Sequence, residues 1–590
     1  MMNGNNKLSF FKLTVNTIRH SWKASPLTFT ALIFSSLFLG AVQVVEIYIM
    51  RIFFDTVAAF ANSMASLGDV IMAAVPIAVI LIIGPVIEIG EYLAQGYIWR
   101  IGVNYLQSLF HLRVGKMPMK DFEFSNTFNN MKKAEMGSDE APSASRSIIQ
   151  FIFYYLPFFI FTSVFLITVK PLLIFAMMFI FISVLISQII RAKTIFNFEN
   201  ENAGLKRQTE YFESCITAKE YFKETRTLGI FSYFFKNFMD FSVILNKKSM
   251  QTERKIALIE ILLRLVNIIG YGGIIGLLLY YIFNGSISIG AFAAVFYSTD
   301  RINNVLKGMV DDVGEAIKEL GNTSFLLNFL EIQKEDKRNE PLDKTSDIHV
   351  KDVSFIYPGS DRQVLKNINL KIKQGETLAV VGENGAGKTT LTKLITGLYQ
   401  PSDGTIFYGN NDINLYAPEQ RYKSVSSVFQ NFIKYKLTAK ENIKISDMSS
   451  AVPLDEVLVK AEVPQTKFSN GLDTMLSREF DGTELSGGEW QRIAIARGFY
   501  RTHNLIILDE PTAAIDPIEE SNIFRLFKES AQDKTAVLVT HRLGSAKIAD
   551  KIIVLENGEI IEDGTHAELM EKRGKYYKMF TEQAKWYIRA

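Results

Sequence analysis

Two glycine-rich stretches of this sequence contain the residue types that hold phosphate groups. The first, GENGAGKT at residues 382–389, matches the pattern G-x-x-x-x-G-K-[ST]. A strand-like run, TLAVV, precedes it and a helical run follows it, which is the context in which this pattern surrounds the phosphates of a nucleotide. The residues predicted to contact the nucleotide are Gly382, Glu383, Asn384, Gly385, Ala386, Gly387, Lys388, Thr389 and Thr390.

The chemistry of this loop follows from its residue types. Its glycines let backbone N–H groups close around phosphate oxygens. Lys388 supplies positive charge at the β- and γ-phosphates, and the start of the following helix adds its dipole. The Thr389 hydroxyl is a predicted ligand of Mg²⁺. The loop therefore predicts a nucleotide with Mg²⁺, and the family resemblance described below implies that the nucleotide is ATP.

The second stretch, LSGGEWQRIAIARG at residues 485–498, is a glycine pair at the start of an evident helix. Ser486, Gly487 and Gly488 offer a hydroxyl and backbone N–H groups where the helix dipole is positive. The stretch has no lysine and no Mg²⁺ ligand of its own. It is therefore predicted to complete a phosphate site that is built elsewhere.

Two carboxylates follow the apolar run NLIIL at residues 504–508. A buried parallel strand would place Asp509 and Glu510 at the sheet edge where ligands bind. Asp509 is a predicted Mg²⁺ ligand, and Glu510 is predicted to polarise the attacking water. Such a pair alone could cap a helix, but the phosphate loop in the same chain favours the catalytic interpretation.

The composition indicates a membrane protein. The chain has 590 residues, 48% of them hydrophobic, and a mean hydropathy of +0.12. The net charge of only +2 gives no general attraction for nucleic acid, which is not an expected partner. The single cysteine, Cys215, cannot form an intrachain disulfide. The N-terminus has no apolar core with a cleavage site, so no signal peptide is predicted.

Six apolar runs in the first half have the length of about 20 residues that crosses a bilayer. A set of buried helices in a soluble core is the alternative, which six such runs in series disfavour. The predicted spans are residues 26–49, 70–93, 148–169, 171–190, 256–283 and 287–309. They define a membrane domain over 1–323, followed by a charged linker over 324–347 and a nucleotide-binding domain over 348–590.

Lysine and arginine are concentrated in the N-terminal arm and in the segments after the second and fourth spans. The opposite loops hold only Lys170. By the positive-inside rule, both termini and the nucleotide-binding domain are cytoplasmic in a multi-pass cell-membrane protein. The two long cytoplasmic connections have helix-forming composition, so we expect them to extend the spans into the cytosol.

Residues 348–590 alternate short β-rich runs with helical patterns, which is typical of an α/β domain. Asn557 and Gly558 stand between two apolar strands and predict a two-residue hairpin. The expected fold is therefore a six-helix transmembrane domain with cytoplasmic helical extensions, followed by an α/β P-loop NTPase domain.

The phosphate loop, LSGGE, LIILDE and the later VTHR together resemble the ATP-binding-cassette (ABC) ATPases. With six spans placed before the ATPase, the whole chain resembles a half-transporter of the ABC exporters. The resemblance implies that Tyr357 stacks on adenine, that Gln430 senses Mg²⁺ and that His541 contacts the γ-phosphate. The structural alternatives are that the tyrosine only packs, that the glutamine is solvated and that the histidine belongs to the core. AAIDP at 513–517 matches the loop whose Asp516 lies at a dimer contact.

The resemblance also implies that the Ser486 loop faces the phosphate loop of a second subunit. Two copies would then form two complete sites, which favours a homodimer over a heterodimer. ATP binding and hydrolysis would drive alternating access of the spans. Contacts that transmit this motion are expected around residues 137–143 and 213–222.

The cargo is less constrained. Glu88, Glu91 and Gln95 lie on one face of the second span, and Glu260 and Arg264 are spaced i, i+4 in the fifth. They predict either an acidic cavity for a cationic or polar cargo, or ion pairs between helices. Residues 429–443 and Trp490 resemble bacterial lantibiotic-type peptide exporters. A peptide or other small amphipathic cargo is therefore expected; a lipid flippase, a multidrug exporter and an importer with the exporter fold are alternatives.

Overall fold

The structure, a computed structural model, describes residues 9–331, 337–340, 342, 346–423, 425–510, 525–529 and 534–588. The chain divides into two compact units. The first contains Met1–Leu112 and Asn130–Ile332, and the second contains Arg113–Asn129 and Gln333–Ala590.

The first unit is built from helices. A helix satisfies its own backbone hydrogen bonds, which is the requirement for crossing a lipid bilayer. The helices are α1 (Phe10–Ala24), α2 (Pro26–Ala61), α3 (Leu67–Val114), α4 (Ser125–Gln150), α5 (Leu156–Val169), α6 (Leu172–Thr217), α7 (Lys219–Thr227), α8 (Phe231–Phe283) and α9 (Ile289–Glu331), with a π-helical segment at Phe151–Tyr155 between α4 and α5.

Five helical segments of the described chain are long and apolar enough to cross a membrane. They are Pro26–Ala61, Leu67–Val114, Thr127–Val169, Leu172–Ile195 and Phe231–Phe283. Helix α9, which contains the sixth predicted span, is not among them. Its apolar start is followed by YSTDRINN at 297–304, with Asp300 and Arg301 in the middle. The helix also runs to Glu331, so residues 324–331 are helical rather than linker.

Close packing of α2 on α9 explains the small residues on α9. Gly290, Ala294 and Ser298 are buried and recur every four residues. A Cβ on Gly290 would lie 2.2 Å from the carbonyl oxygen of Arg51. The Gly290 N–H donates to Asp55 Oδ1 at 2.8 Å, which fixes the start of α9 against α2.

The two predicted contact regions lie in helices of the first unit, and their role in transmitting the motion stays a prediction. Residues 137–143 lie inside α4, in the first unit, and a Cβ on Gly137 would come 2.4 Å from the carbonyl oxygen of Asn322 in α9. The segment that groups with the nucleotide-binding unit is Arg113–Asn129, which joins α3 to α4 and contains a 3₁₀ turn at Met119–Glu123. Helix-forming composition did not show where the helix pair turns back. The other region, 213–222, spans the junction of α6 and α7 and stays a prediction.

The second unit contains two sheets. A four-stranded antiparallel sheet has the order β2-β1-β4-β5, and a six-stranded sheet has the order β11-β10-β3-β9-β8-β6. All neighbours in the larger sheet are parallel except β10 and β11. The strands are β1 (Ile348–Ile356), β2 (Gln363–Ile372), β3 (Thr377–Gly382), β4 (Asp403–Tyr408), β5 (Asn411–Asp412), β6 (Val425–Val428), β7 (Ser469–Leu472), β8 (Leu505–Asp509), β9 (Thr535–Val539), β10 (Lys551–Glu556) and β11 (Glu559–Gly564).

Helices cover this larger sheet. Strands β3, β8 and β9 are buried along their whole length, which explains why their sequences are continuous apolar runs rather than alternating ones. The described helices of the unit are α10 (Lys388–Ile395), α11 (Pro418–Tyr422), α12 (Ala439–Lys444), α13 (Leu454–Lys460), α14 (Gly487–Tyr500), α15 (Leu543–Ala546), α16 (His566–Lys572) and α17 (Lys575–Ile588).

The predicted hairpin is confirmed between β10 and β11. Asn557 and Gly558 have φ values of 50° and 84°, which the two central positions of this turn require. The Gly558 carbonyl accepts a hydrogen bond from the Lys366 amide at 2.8 Å, so the turn also ties the two sheets together.

We expect Gly558→Ala to lower the free energy of unfolding by about 1–3 kcal/mol, because the left-handed backbone is strained for alanine. The added Cβ would also lie 2.4 Å from the Val364 carbonyl oxygen. Thermal unfolding of the purified full-length protein measures this as a lower Tm. Gly544→Ala is the matched control, since Gly544 has no atom within 4 Å of the added Cβ. An equal loss of stability in the control would contradict this account.

Candidate active site

The phosphate loop joins β3 to α10 and is held by its own lysine. Lys388 Nζ donates to the carbonyl oxygens of Gly382 at 3.0 Å and Glu383 at 3.1 Å. Burial lowers the pKa of Lys388, and the nearby Glu510 and Asp509 oppose that shift. Gly387 starts the helix at φ 103°, where only glycine fits without strain. The loop thus presents a buried positive charge beside a helix N-terminus, which suits a phosphate group.

Asp509 ends strand β8 next to this loop. Its Oδ1 accepts a hydrogen bond from the Thr389 hydroxyl at 3.2 Å, while its buried Oδ2 has no hydrogen-bond partner in the described chain. Burial is the main cause that raises the pKa of Asp509. A buried carboxylate oxygen without a partner is costly. A hard divalent cation bound by these two side chains would remove that cost, so the residues fit such an ion.

The Glu510 side chain contacts side chains that follow the two neighbouring strands of the sheet. Its Oε2 accepts a hydrogen bond from Gln430 Nε2 at 2.8 Å and lies 2.8 Å from His541 Nε2. Gln430 follows β6, Glu510 follows β8 and His541 follows β9, and these strands are parallel neighbours in the sheet. Lys388 Nζ lies 4.0 Å from Glu510 Oε1. The structure therefore brings four of the predicted residues into one group.

The backbone of Glu510 is strained. Its φ of 49° is left-handed, which costs a non-glycine residue about 1–3 kcal/mol. The Glu510 amide donates to the carbonyl of Val539 at 3.0 Å, which extends the β8–β9 ladder and holds the residue in place. Strain of this kind is found where a side chain must be aimed at a fixed point. Here the carboxylate is aimed at the groups around Lys388.

Tyr357 lies in an aromatic cluster beside helix α10. Its ring is nearly perpendicular to those of Phe355 and Tyr399, with centroids 4.9 and 5.6 Å away. The Tyr357 hydroxyl is 3.1 Å from the Thr390 hydroxyl, at the end of the phosphate loop. The structure thus places Tyr357 next to the nucleotide loop, and its stacking on adenine stays a prediction.

Two contacts near this site were not predicted from the sequence. Lys575 Nζ lies 2.7 Å from Glu383 Oε1 and 2.7 Å from Glu556 Oε1, which ties the start of α17 to the phosphate loop. This bond lowers the pKa of Glu383. No local pattern indicates the pairing, because its members are far apart in the sequence.

The other missed contact joins the aromatic cluster to the turn between α3 and α4. The Tyr399 hydroxyl donates a short hydrogen bond to the Glu123 carboxylate. Burial and Glu123 together raise the pKa of Tyr399 well above its ordinary value. Since Tyr399 also packs on Tyr357, Glu123 is two side chains away from the hydroxyl that contacts Thr390.

The Ser486 loop begins helix α14 with a capping box. The Ser486 hydroxyl oxygen accepts from the Glu489 amide, and the Glu489 carboxylate accepts from the Ser486 amide at 2.8 Å. Ser486 and Gly487 are exposed. Within the described chain, no hydrogen bond or ion pair joins residues 486–488 to the phosphate loop. The capped serine keeps its own hydroxyl proton, so the loop can still donate to an anion.

Two further expectations concern Trp490 and Asp516. Trp490 is 3% exposed and packs in the core with residues such as Ile493 and Phe499, so its side chain has a packing role in helix α14. The tryptophan is large and apolar, and it lies on the buried face of helix α14. Asp516 lies outside the described residues.

Comparison with known proteins agrees with this geometry. Residues 365–513 match the family model described as ABC transporter. The matched residues lie in the second unit, whose phosphate loop and mainly parallel sheet agree with an ABC transporter ATPase domain. The apolar helices of the first unit precede it in the chain.

Three curated relatives resemble parts of the chain. The subtilin transport ATP-binding protein of Bacillus subtilis is 33% identical over 389 residues, which are 64% of this chain and 63% of that protein. The nisin transport ATP-binding protein of Lactococcus lactis subsp. lactis is 33% identical over 395 residues, which are 64% of this chain and 65% of that protein. The ATP-dependent lipid A-core flippase of Escherichia coli (strain K12) is 34% identical over 300 residues, covering 50% and 51% of the two chains. The matches thus span at most 65% of each of these relatives.

A solved structure resembles nearly the whole chain. It is the structure of a bacterial Atm1-family ABC exporter with ATP bound, with a TM-score of 0.74 and 18% sequence identity. The likeness covers 98% of this chain and 99% of that one. The expected fold, a helical membrane domain followed by an α/β ATPase domain, is confirmed.

Glu510→Gln should reduce ATP hydrolysis by about 10²–10⁴-fold, the usual contribution of a general base. The amide oxygen of glutamine can still accept the hydrogen bond from Gln430, so ATP binding should be kept. Phosphate release and equilibrium binding of a fluorescent ATP analogue separate the two effects. Glu456→Gln, at an exposed carboxylate that pairs with Lys460, is the control. Parent-rate hydrolysis by Glu510→Gln would show that Glu510 is not the base.

Proposed function

We propose that this protein is an ATP-hydrolysing membrane exporter that works as a homodimer by alternating access, with a peptide or similar amphipathic compound as cargo. The observation that carries the ATPase assignment is the set of contacts around Glu510. A carboxylate held by Gln430 and His541 beside a phosphate-binding lysine is equipped to hydrolyse a phosphoanhydride.

Each side chain has a distinct role in this proposal. Glu510 accepts a proton from the water that attacks the γ-phosphorus, and Gln430 and His541 keep its carboxylate aimed at that water. Lys388 neutralises charge on the β- and γ-phosphates, while Tyr357 packs against adenine. Mg²⁺, held by Thr389, Asp509 and Gln430, supplies further charge stabilisation when bound. Gln430 can serve both purposes, because it donates to Glu510 through its nitrogen and keeps its oxygen free.

The Ser486 loop supports a dimer. It is exposed, carries donors for an anion, and has no contact with the phosphate loop in the described chain. We infer that Ser486, Gly487 and Gly488 close over the nucleotide of a second copy, which gives two shared sites per homodimer. ATP bound between the two subunits would then favour the closed dimer over the open one, which is the differential affinity that a conformational switch needs.

A bacterial plasma-membrane location fits the apolar helices and the distribution of lysine and arginine. The cytoplasmic side would hold both termini and the ATPase domain. The likeness to two proteins named for the transport of subtilin and nisin favours a peptide cargo. The likeness to a lipid A-core flippase keeps lipid transport as the second candidate.

A complementation test addresses the shared site. Lys388→Ala and Ser486→Arg homodimers should each hydrolyse ATP poorly, because every site has one damaged half. A mixed dimer of the two variants should regain measurable hydrolysis, since one of its sites combines the two intact halves. Tandem affinity purification with two different tags isolates the mixed dimer for phosphate-release assays. A mixed dimer no more active than either parent would contradict sharing between subunits.

The Tyr399–Glu123 contact gives a second prediction. Tyr399→Phe should leave basal hydrolysis close to the parent rate, because the ring packing on Tyr357 is kept. Stimulation of the ATPase by cargo should fall, since the link to the turn between α3 and α4 is lost. Glu123→Gln should do the same, and the double variant should lose no more than either single one. Additive losses would show that the two residues act independently.

Cargo class is tested by ATPase stimulation in nanodiscs with cationic peptides, lipids and hydrophobic drugs. We expect stimulation by peptides. Stimulation by lipids alone would support the flippase instead.

A further inference from the structure

Two of the three acidic residues predicted to line a cavity, Glu91 and Glu260, have structural partners, while Glu88 is exposed. Glu91 is buried, and its Oε1 accepts a hydrogen bond from the Ser36 hydroxyl at 2.8 Å. Glu260 pairs with Arg191 at 3.2 Å. These two carboxylates stabilise contacts between helices, which makes them poor candidates for recognising a charged cargo.

A cleft of about 740 Å³ lies between helices α2, α3 and α9. Its volume suits a drug-sized ligand or a short peptide segment, but not a whole folded domain. Most of its wall is apolar, with four phenylalanines contributed by α2 and α9. The residues that line it include Phe53, Phe54, Leu81, Phe292, Phe296 and Asp300.

Asp300 is the carboxylate that lines the polar end of this cleft, and Glu46 lies behind it in contact with two lining residues, Tyr297 and Arg301. Glu46 Oε1 accepts from the Tyr297 hydroxyl at 2.5 Å, and its Oε2 lies 3.9 Å from Arg301. Asp300 is exposed on the cleft and accepts a bond from Asn304 Nδ2 at 3.3 Å. No ion pair to Asp300 is present in the described part of the chain. With Arg301 paired to Glu46, the remaining charge at this end is negative.

Asp300 lies well inside the apolar part of the membrane domain, counted along helix α9. It stands eleven residues after the start of α9 at Ile289, which places it about 16 Å along the helix axis. A charged side chain at that depth in a bilayer is costly and usually serves a ligand or an ion. The polar run around it is also the reason why α9 falls short of an ordinary apolar span.

We propose that this cleft binds a cationic amphipathic segment of the cargo, with Asp300 pairing to an ammonium or guanidinium group. Apolar side chains next to that cation pack on Phe53, Phe54, Phe292 and Phe296, and the aromatic faces add cation–π attraction. A lipid phosphate fits less well, because Asp300 repels it and Glu46 already engages Arg301. This inference rests on the proposed export function and specifies its cargo class.

The test uses the full-length protein in nanodiscs of zwitterionic lipid. The probes are a fluorescent amphipathic peptide that contains lysines and the same peptide with glutamine in place of lysine. Peptide binding is measured without ATP, and ATPase stimulation is measured with ATP. Asp300→Asn should weaken binding of the lysine peptide by about tenfold or more, as loss of a desolvated charge pair does. It should leave basal hydrolysis and binding of the glutamine peptide unchanged.

Two variants control for general effects on the helix. Asp311→Asn makes the same substitution at an exposed aspartate of α9 outside the cleft, and it should bind both peptides like the parent. Asp300→Glu keeps the charge and should keep most of the preference for the lysine peptide. This second variant also keeps the proposal falsifiable if the asparagine variant is poorly folded.

Four outcomes would overturn the proposal. If Asp300→Asn weakened binding of both peptides equally, Asp300 would have a structural role, such as an ion pair with the second subunit. Loss of basal hydrolysis with peptide binding unchanged would lead to the same conclusion. An effect of Asp311→Asn as large as that of Asp300→Asn would remove the assignment to the cleft. Stimulation by phosphatidylglycerol that is lost in Arg301→Gln would make the cleft a lipid site. Failure of the export proposal itself would be distinct, since it appears as absent hydrolysis while peptide binding without ATP persists.

Discussion

Parallel pairing of β6, β8 and β9 is the constraint on which the candidate ATP site depends. Each strand ends at the same edge of the sheet, and Gln430, Glu510 and His541 are the residues that follow there. Their mutual hydrogen bonds are possible only in this register, because a shift by one residue would turn each side chain away. The strained φ of Glu510 and the bond from its amide to Val539 show how tightly the position is held.

A second level of organisation concerns what a single chain leaves incomplete. The phosphate loop has its lysine, its candidate Mg²⁺ ligands and a candidate base nearby, whereas the exposed Ser486 loop offers only donors to an anion. A loop that offers donors to an anion but has no cation or base can take part in ATP hydrolysis only when another surface supplies the cation and the base. The same reasoning applies in the membrane domain, where Asp300 stands exposed in an aromatic cleft while Glu46 and Glu260 have partners inside the chain.

Sequence reasoning succeeded where chemistry is encoded in short contiguous patterns. The phosphate loop, the carboxylates at the end of β8 and the Asn557–Gly558 hairpin each follow from neighbouring residues whose geometry is local. Contacts between distant segments left no such pattern, so the Lys575–Glu383 pair and the Tyr399–Glu123 bond could not be predicted. The turn between α3 and α4 could not be located from the sequence, because composition favours helix on both sides of it without showing where the chain turns.

The central claim is that one ATP site is built from two chains, and cysteine cross-linking tests it most directly. One tagged copy carries Ser486→Cys and a differently tagged copy carries Asn384→Cys, both in a background of Cys215→Ala and Glu510→Gln. With ATP and Mg²⁺, a short bifunctional thiol reagent should link the two tags into one product, and without nucleotide the yield should fall. No cross-link between the two tags with ATP and Mg²⁺, or the same yield with and without nucleotide, would contradict the shared site.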